Sequence, residues 1–154
     1  MKETHIILHN IRSALNVGSI FRSADGAGVS KIHLTGYSPT PIDRFGRNEA
    51  TIAKTALGAE HSVSWEQGEI QTVLRTLKDS GYLIVGVEQT ADAKNYKEFI
   101  ARGKTVFIFG NEVGGLEDEV LRVCDETIEI PMRGEKESLN VAVVAGIILF
   151  NYTP

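Results

Sequence analysis

The C-terminal stretch, residues 127–152, constrains the fold more than any other part of the chain. It reads T-I-E-I-P-M-R-G-E-K-E-S-L-N-V-A-V-V-A-G-I-I-L-F-N-Y. This pattern predicts a short strand at 127–130, a polar loop at 131–139 and a helix from about Asn140. The helix carries apolar side chains on almost every face, so protein must cover it all round. We expect either the core of this domain or a second subunit to do so.

Upstream of this stretch, short apolar runs typical of strands alternate with segments of helical periodicity. The predicted strands are 4–9, 31–35, 61–65, 82–87 and 105–109. The predicted helices are 16–27, ended by Gly26 and Gly28, and 48–57, 66–80 and 117–123. Residues 36–47 form a loop long enough to be mobile. The alternation predicts an α/β fold with a mostly parallel sheet and helices on both faces.

Length and composition are those of one globular domain. The chain has 154 residues, of which 42% are hydrophobic and 23% are charged, enough for a core of its own. Its single cysteine, Cys124, excludes an intrachain disulfide and fits a reducing cytoplasm. No signal peptide is evident, and the longest apolar run, 141–150, is too short to span a membrane. We expect a soluble, cytoplasmic protein that makes no contact with a membrane.

The charge of the chain does not by itself indicate a nucleic-acid partner. The formal net charge is −4, whereas nucleic-acid-binding domains are usually basic. Residues 1–54 carry seven Lys and Arg against four Asp and Glu, and residues 55–154 carry nine against sixteen. A phosphate-binding surface, if there is one, should lie in the first third. On charge alone, chance scatter over a solvated surface is the better explanation.

Several common functional motifs are absent from the sequence. The glycine-rich loop at 110–116 has neither dinucleotide-binding nor P-loop spacing, and its acidic Glu112 would repel a pyrophosphate. The four histidines are scattered and lack a cysteine partner, so we expect no metal site. No G-x-S-x-G motif marks a serine nucleophile. Taken alone, each loop is explained by ordinary turn chemistry.

Three stretches together nevertheless form a pattern. They are residues 10–25 (N-I-R-S-A-L-N-V-G-S-I-F-R-S-A-D), 106–116 (V-F-I-F-G-N-E-V-G-G-L) and 128–145 (I-E-I-P-M-R-G-E-K-E-S-L-N-V-A-V-V-A). In order and spacing they resemble the three motifs of the SpoU (TrmH) family of RNA ribose 2′-O-methyltransferases, which belong to the SPOUT class. The most specific parts are N-x-x-x-x-x-R at 16–22, F-G-N-E at 109–112, I-P-M at 130–132 and S-L-N at 138–140. The resemblance covers essentially the whole chain.

The resemblance implies a fold, a cofactor and a partner. The C-terminal part of the sheet would be tied in a deep trefoil knot, and the loops after strands 82–87, 105–109 and 127–130 would hold S-adenosylmethionine. The protein would form a homodimer through its last helix. The residues that match the family's cofactor site, largely through their backbone, are Val87, Gly110, Asn111, Glu112, Ile130, Met132, Ser138, Leu139 and Asn140.

The resemblance also assigns catalytic roles. Arg22 would help to deprotonate the ribose 2′-hydroxyl. Because free arginine is a poor base, we interpret Arg22 as a group that stabilises the developing alkoxide and is tuned by an RNA phosphate. Asn16 would approach the ribose from the side. Glu112, Ser138 and Asn140 would line the cofactor and the ribose.

The identity of the substrate stays open at this point. Residues 1–154 read as a single methyltransferase domain without an accessory RNA-binding domain, and a compact tRNA suits a minimal domain better than a large ribosomal target. There are two alternatives. One is an rRNA methyltransferase, and the other is a dimeric RNA-binding or assembly module that has lost turnover. The basic residues available for phosphate contact are Arg12, Arg44, Arg47, Lys54, Arg133 and Lys136.

Overall fold

A computed structural model describes residues 2–153. Its seven strands form one sheet in which every strand pair is parallel. The strands are β1 (Glu3–His9), β2 (Lys31–Thr35), β3 (Ser64–Gly68), β4 (Leu83–Val87), β5 (Lys94–Asn95), β6 (Lys104–Phe109) and β7 (Glu126–Glu129). The helices are α1 (Ala14–Ala27), α2 (Ala50–Ala56), α3 (Ala59–Ser62), α4 (Ile70–Asp79), α5 (Asp118–Val123) and α6 (Val141–Tyr152). The predicted α/β class with a parallel sheet is confirmed.

Helices cover both faces of this sheet, as predicted. On β1, Ile6 and Leu8 point to one face and Ile7 to the other, and all three side chains are fully buried. Such strands have no polar face because successive side chains alternate between two covered faces. The first face packs against α1, α2 and α6, and the second against α4 and α5.

The strand order places β6, which comes late in the sequence, at the centre of the sheet. The order is β3-β2-β1-β6-β4-β7-β5. Strand β6 therefore lies between β1 and β4, with His5 of β1 opposite Val106. Because all strands are parallel, the carboxyl ends of β1, β4, β6 and β7 meet at one edge of the sheet.

Several predicted boundaries are wrong, and local chemistry explains them. Helix α1 begins two residues before Asn16, because the Ser13 hydroxyl caps it by accepting a bond from the Asn16 amide. It ends at Gly28, whose φ of 76° closes the helix, so that Gly26 lies inside it. The predicted helix 66–80 begins only at Ile70, where the Glu69 carboxylate caps it, and residues 66–68 continue β3.

The remaining differences concern short elements at the edges of the sheet. His61 lies in α3 rather than in a strand, and β3 begins at Ser64. The two-residue edge strand β5 was not predicted. Within the loop 36–47, residues 43–47 form a tight turn in which the Asp43 amide donates to the Arg47 carbonyl.

The last helix, α6, is only partly covered within one chain. One side packs into the core through Val141, Ala145, Ile148 and Leu149. The opposite side leaves Val143 50% and Phe150 62% exposed. The prediction that the domain core covers this helix is thus correct for one side of it. No helix within residues 2–153 combines the length and apolar character needed to cross a bilayer.

Candidate functional site

A cavity of about 510 Å³ lies at the carboxyl edge of the sheet, where the loops after β4, β6 and β7 converge. These are the loops that the sequence singles out. The predicted cofactor residues that line it are Val87, Gly110, Asn111, Glu112, Ile130, Met132, Ser138 and Leu139. The structure thus brings together residues from three separate loops. Asn140, the ninth predicted residue, caps α6 beside the cavity.

The loop after β6 is a closed turn that Asn111 organises. The backbone amides of Asn111 and Gly115 donate to each other's carbonyl oxygens at 3.1 and 2.9 Å. The Asn111 Oδ1 accepts bonds from the amides of Val113 and Gly114. Its Nδ2 donates to the Asn10 carbonyl at 3.0 Å and to the Tyr37 hydroxyl at 2.8 Å. One side chain therefore fixes the loop and joins it to the segments that follow β1 and β2.

Two carboxylates hold the same loop against its neighbours. The Glu112 oxygens accept the Arg12 backbone amide at 3.0 and 3.2 Å. The Glu88 Oε2 accepts the Leu116 amide at 2.8 Å. The contact of Glu112 is a positioning role that the sequence does not reveal. Glu88 was not predicted as a site residue, although its place directly after β4 is a signal that could have found it.

A glycine is required where the two ends of this loop touch. A Cβ atom added to Gly110 would lie 2.6 Å from the carbonyl carbon and oxygen of Gly115. Backbone atoms cannot turn aside as a side-chain tip can, so any larger residue would force the loop open. Gly110 and Gly115 both line the cavity, so their close approach shapes its wall.

Asn16 and Asn140, both predicted site residues, are in contact although they lie far apart in sequence. The Asn140 Nδ2 donates to the Asn16 Oδ1 at 3.2 Å. The Asn140 Oδ1 meanwhile accepts the Ala142 amide at 2.8 Å and so caps α6. The bond places the start of α1 next to the end of the loop that follows β7. Ser138 is exposed and lines the cavity.

Arg22 does not line this cavity. It is exposed on α1 and lies in a second, open depression of about 670 Å³ between α1, α2 and α6. The other residues that line the depression are Ser19, Ser23, Gly26, Lys54, Thr55, Leu57 and Phe150. Within one chain, the predicted catalytic arginine and the predicted cofactor residues therefore occupy different surfaces.

The six basic residues predicted to contact RNA are all exposed. They fall into three groups. Arg12, Arg44 and Arg47 lie in the loops after β1 and β2, at the carboxyl edge. Lys54 shares the depression with Arg22. Arg133 and Lys136 lie in the loop after β7.

The histidines are less scattered than the sequence suggests. The His5 Nδ1 lies 3.1 Å from the His33 Nε2, and the Tyr82 hydroxyl lies 3.0 Å from the His5 Nε2. Burial lowers the pKa of His33 from 6.5 to about 4. In this cluster the histidines are buried, neutral hydrogen-bonding groups. Between residues 2 and 153, no set of three or more His, Cys, Asp or Glu side chains is placed to hold a metal ion.

Comparison with known proteins relates this architecture to a family. The sequence is 35% identical over 146 residues to the 23S rRNA (guanosine-2′-O-)-methyltransferase RlmB of Escherichia coli K12, covering 94% of this chain and 57% of that protein. The fold is similar to that of an AdoMet-bound rRNA methyltransferase from Sinorhizobium meliloti, with a TM-score of 0.88 and 28% identity, over 96% of this chain and 54% of that one.

A third similar structure is the A. aeolicus TrmH/SpoU tRNA modifying enzyme, with a TM-score of 0.82 and 27% identity, over 97% of this chain and 73% of that one. The chain spans 57% of the length of the first curated relatives that it matches. The profile of the SpoU rRNA Methylase family matches residues 3–150. The resemblance predicted from the three motifs is therefore confirmed, and the chain belongs to the SpoU rRNA methylase family.

Proposed function

We propose that this protein is an S-adenosylmethionine-dependent methyltransferase that methylates a ribose 2′-hydroxyl of RNA. The observation that carries the proposal is the cavity at the carboxyl edge, which is assembled from three loops in a chain that matches the family over residues 3–150. Ligands of open α/β sheets bind at this edge. The relatives named as RNA ribose methyltransferases and as AdoMet-bound support the same activity.

The cavity is suited to this cofactor. Its volume of about 510 Å³ lies within the range of small-molecule sites, roughly 300–1,000 Å³. Apolar side chains such as Leu116, Ile130 and Val144 offer a surface for a base, and the glycine-rich turn offers backbone hydrogen-bonding groups. Carboxylates at Glu88 and Asp118 complement the positive charge of an amino group and a sulfonium. When bound, S-adenosylmethionine supplies the electrophilic methyl group.

The residues of the chain would then position the nucleophile and handle its proton. On transfer, the 2′-oxygen would form a bond to the methyl carbon as the carbon–sulfur bond breaks, and the hydroxyl proton would pass to solvent, so that negative charge develops on the oxygen. Arg22 stabilises that charge with its planar guanidinium, tuned by a phosphate of the RNA. The Asn16–Asn140 pair lies beside the cavity and orients the ribose. Ser138 and Glu112 line the same region from the side of the cofactor.

A homodimer would unite the two separate surfaces. Phe150 and Val143 form an exposed apolar strip on α6, and Leu57 of α2 is 65% exposed beside the Arg22 depression. A two-fold contact through α6 would bury this strip. Arg22 of one subunit would then face the cofactor cavity of the other. The separation of Arg22 from the cavity within one chain supports this shared site.

We also propose that the C-terminal part of the chain is knotted. After β4 the chain runs outward to the edge strand β5 and returns to β6. The chain leaving β7, which lies between β4 and β5, must pass this excursion to reach α6, which packs in the core with α1. The Gln89 Nε2 donates to the Glu137 carbonyl at 2.9 Å, where the two segments meet. Threading of the segment after β7 through the loop between β4 and β6 would produce this arrangement.

The proposed substrate is a tRNA, with rRNA as the second candidate. The exposed basic residues predicted to contact RNA number six in this domain, and a compact, structured RNA presents many phosphates to a small surface. Relatives named for rRNA and for tRNA occur side by side. We therefore propose tRNA first and rRNA second, and we propose a cytoplasmic location.

Calorimetric titration with S-adenosylmethionine, followed by a methyl-transfer assay on total tRNA and on rRNA, tests the proposal. We expect binding without RNA, because the cavity belongs to the protein alone, and incorporation of label into ribose 2′-O-methyl nucleotides. Absence of binding at millimolar cofactor would refute the enzyme and favour the silent RNA-binding module. Mass spectrometry of total RNA from a deletion strain then identifies the nucleotide and its position.

A further inference from the structure

The loop between β2 and α2 carries a cation–π stack on the protein surface, in which the guanidinium groups of Arg44 and Arg47 lie close to the Phe45 ring. The Arg44 Cζ lies 4.7 Å and the Arg47 Cζ 4.9 Å from the centroid of the Phe45 ring. The Phe45 side chain is nevertheless 66% exposed. A large aromatic ring in this position contributes nothing to the core, so its burial cannot explain its presence.

The loop holds this stack in a defined conformation. The Asp43 Oδ1 accepts the amides of Phe45 and Arg47 at 2.8 and 3.0 Å, and its Oδ2 accepts the Arg47 Nε at 2.9 Å. These bonds, led by that from the Arg47 amide, keep the pKa of Asp43 below its usual value. An antiparallel bridge between Ile42 and Asn48 closes the base of the turn. The loop backbone that carries the aromatic ring and the Arg47 guanidinium is therefore presented without a large ordering cost on binding.

The stack lies on the same edge of the sheet as the cavity. Tyr37, at the start of the loop, is 61% exposed, and its hydroxyl accepts the Asn111 Nδ2 at 2.8 Å. Asn111 in turn closes the turn that lines the cavity. The loop is thus anchored directly to the proposed cofactor site.

We propose that Phe45, with Arg44 and Arg47, is a stacking platform for an unpaired base of single-stranded RNA. Unpaired bases stack on aromatic rings and on guanidinium planes, whereas bases inside an A-form helix are not accessible in this way. The two positive charges complement the adjacent phosphates. The inference rests on the proposed function, which it deepens: the platform selects a loop or single-stranded stretch rather than a continuous helix.

The test compares Phe45→Ala with Phe45→Tyr by fluorescence anisotropy, using a labelled mixed-sequence oligoribonucleotide and the duplex formed with its complement. We expect Phe45→Ala to weaken binding of the single strand by about five- to a hundredfold, as loss of one stacked base does. Binding of the duplex should change by less than about twofold, because it makes no stack. Phe45→Tyr keeps the aromatic plane and should bind like the wild type.

Two controls separate stacking from charge and from general damage. Ile100→Ala removes another exposed apolar side chain, 68% exposed, in the segment that precedes β6 at the opposite edge of the sheet, and should leave both affinities unchanged. Affinity falls as salt rises, and Arg44→Gln should make the slope of log affinity against log salt about 0.7 less steep, because one phosphate contact is lost. Phe45→Ala should leave that slope unaltered.

Specific outcomes would overturn the inference. Equal losses for single strand and duplex, a Phe45→Tyr variant as weak as Phe45→Ala, or wild-type RNA binding by Phe45→Ala would each show that no base stacks here; the last would point to a protein partner for this loop. Titration of the same variants with S-adenosylmethionine separates the two proposals. Failure of the wild type to bind cofactor refutes the proposed function, and normal cofactor binding without an effect at Phe45 refutes only the platform.

Discussion

The cavity at the carboxyl edge has walls contributed by three loops of one chain, whereas the depression around Arg22 is bounded by the outer surfaces of α1, α2 and α6. The loop after β6 is held against its neighbours by the bond that Asn111 donates to Asn10 and by the amide bonds that Glu112 and Glu88 accept. The depression ends on exposed apolar side chains, including Phe150. One region is enclosed by loops of a single chain, and the other is open and bordered by exposed apolar side chains.

The two regions correspond to two parts of the proposed reaction, cofactor binding and charge stabilisation at the ribose. Binding of the cofactor should depend on intrachain geometry alone. Charge stabilisation at the ribose should depend on Arg22 and on a neighbouring subunit. Variants can therefore be chosen that damage one region and spare the other.

Arg22→Ala should produce the largest separation. We expect methyl transfer to fall by at least about a hundredfold, the usual result of removing a group that stabilises transition-state charge. The cofactor affinity should stay within a few-fold of wild type, since Arg22 does not line the cavity. Turnover kinetics and calorimetry measure the two quantities.

Arg22→Lys should also fail to support methyl transfer, because a point charge does not replace a planar fork. A collapse of cofactor binding would show that Arg22 is structural.

Gly110→Ala should produce the opposite result. The added Cβ meets the Gly115 backbone at 2.6 Å, so the turn must open and cofactor affinity should fall at least about tenfold. Gly134→Ala is the matched control, because a Cβ there meets nothing within 4 Å. Light scattering should show both variants in the oligomeric state of the wild type. Unchanged affinity in Gly110→Ala would mean that this turn does not shape the site.

Mixing two inactive proteins tests whether the regions meet across subunits. Arg22→Ala and Asn140→Ala are unfolded and refolded together. If one site uses Arg22 from one chain and Asn140 from the other, half of the dimers are mixed and one of their two sites is intact. Recovery should then be about a quarter of wild-type activity. Each variant refolded alone is the control. No recovery would place both residues in one chain, and a monomer at micromolar concentration would refute the shared site altogether.

The smallest effect concerns the sheet that carries both regions. Because the pKa of His33 is about 4 in the folded protein and 6.5 ordinarily, the unfolded chain binds more protons between these values. The free energy of unfolding should therefore decrease as the pH falls from 6.5 towards 4. His33→Gln should flatten this dependence in urea titrations. A His33→Gln curve that is as steep as that of the wild type would assign the dependence to other groups.

Local patterns predicted the buried strands and the three loops because each depends on consecutive residues. The buried strands β1 and β6 and the turn at 110–115 are examples. The start of α4 was wrong because β3 is an edge strand whose only large apolar residue is Trp65, so its polar positions resemble a helix surface. Sequence alone gave no signal for the His5–His33 pair or for the bond from Asn111 to Tyr37, since these contacts depend on strand register and loop closure.

The central position of β6 in the sheet affects folding of the nascent chain during translation. Strands β1, β2 and β3 are complete once residue 68 has left the ribosome, but β1 pairs on its other side only with β6, which ends at Phe109. At about 5–20 residues per second, roughly 2 to 8 seconds separate these events. During that interval the backbone N–H and C=O groups on one edge of β1 have no strand partner, and the apolar residues Ile6, Ile7 and Leu8 lie on that same strand. Slow translation between residues 68 and 109 would prolong this exposure and increase the demand for chaperones.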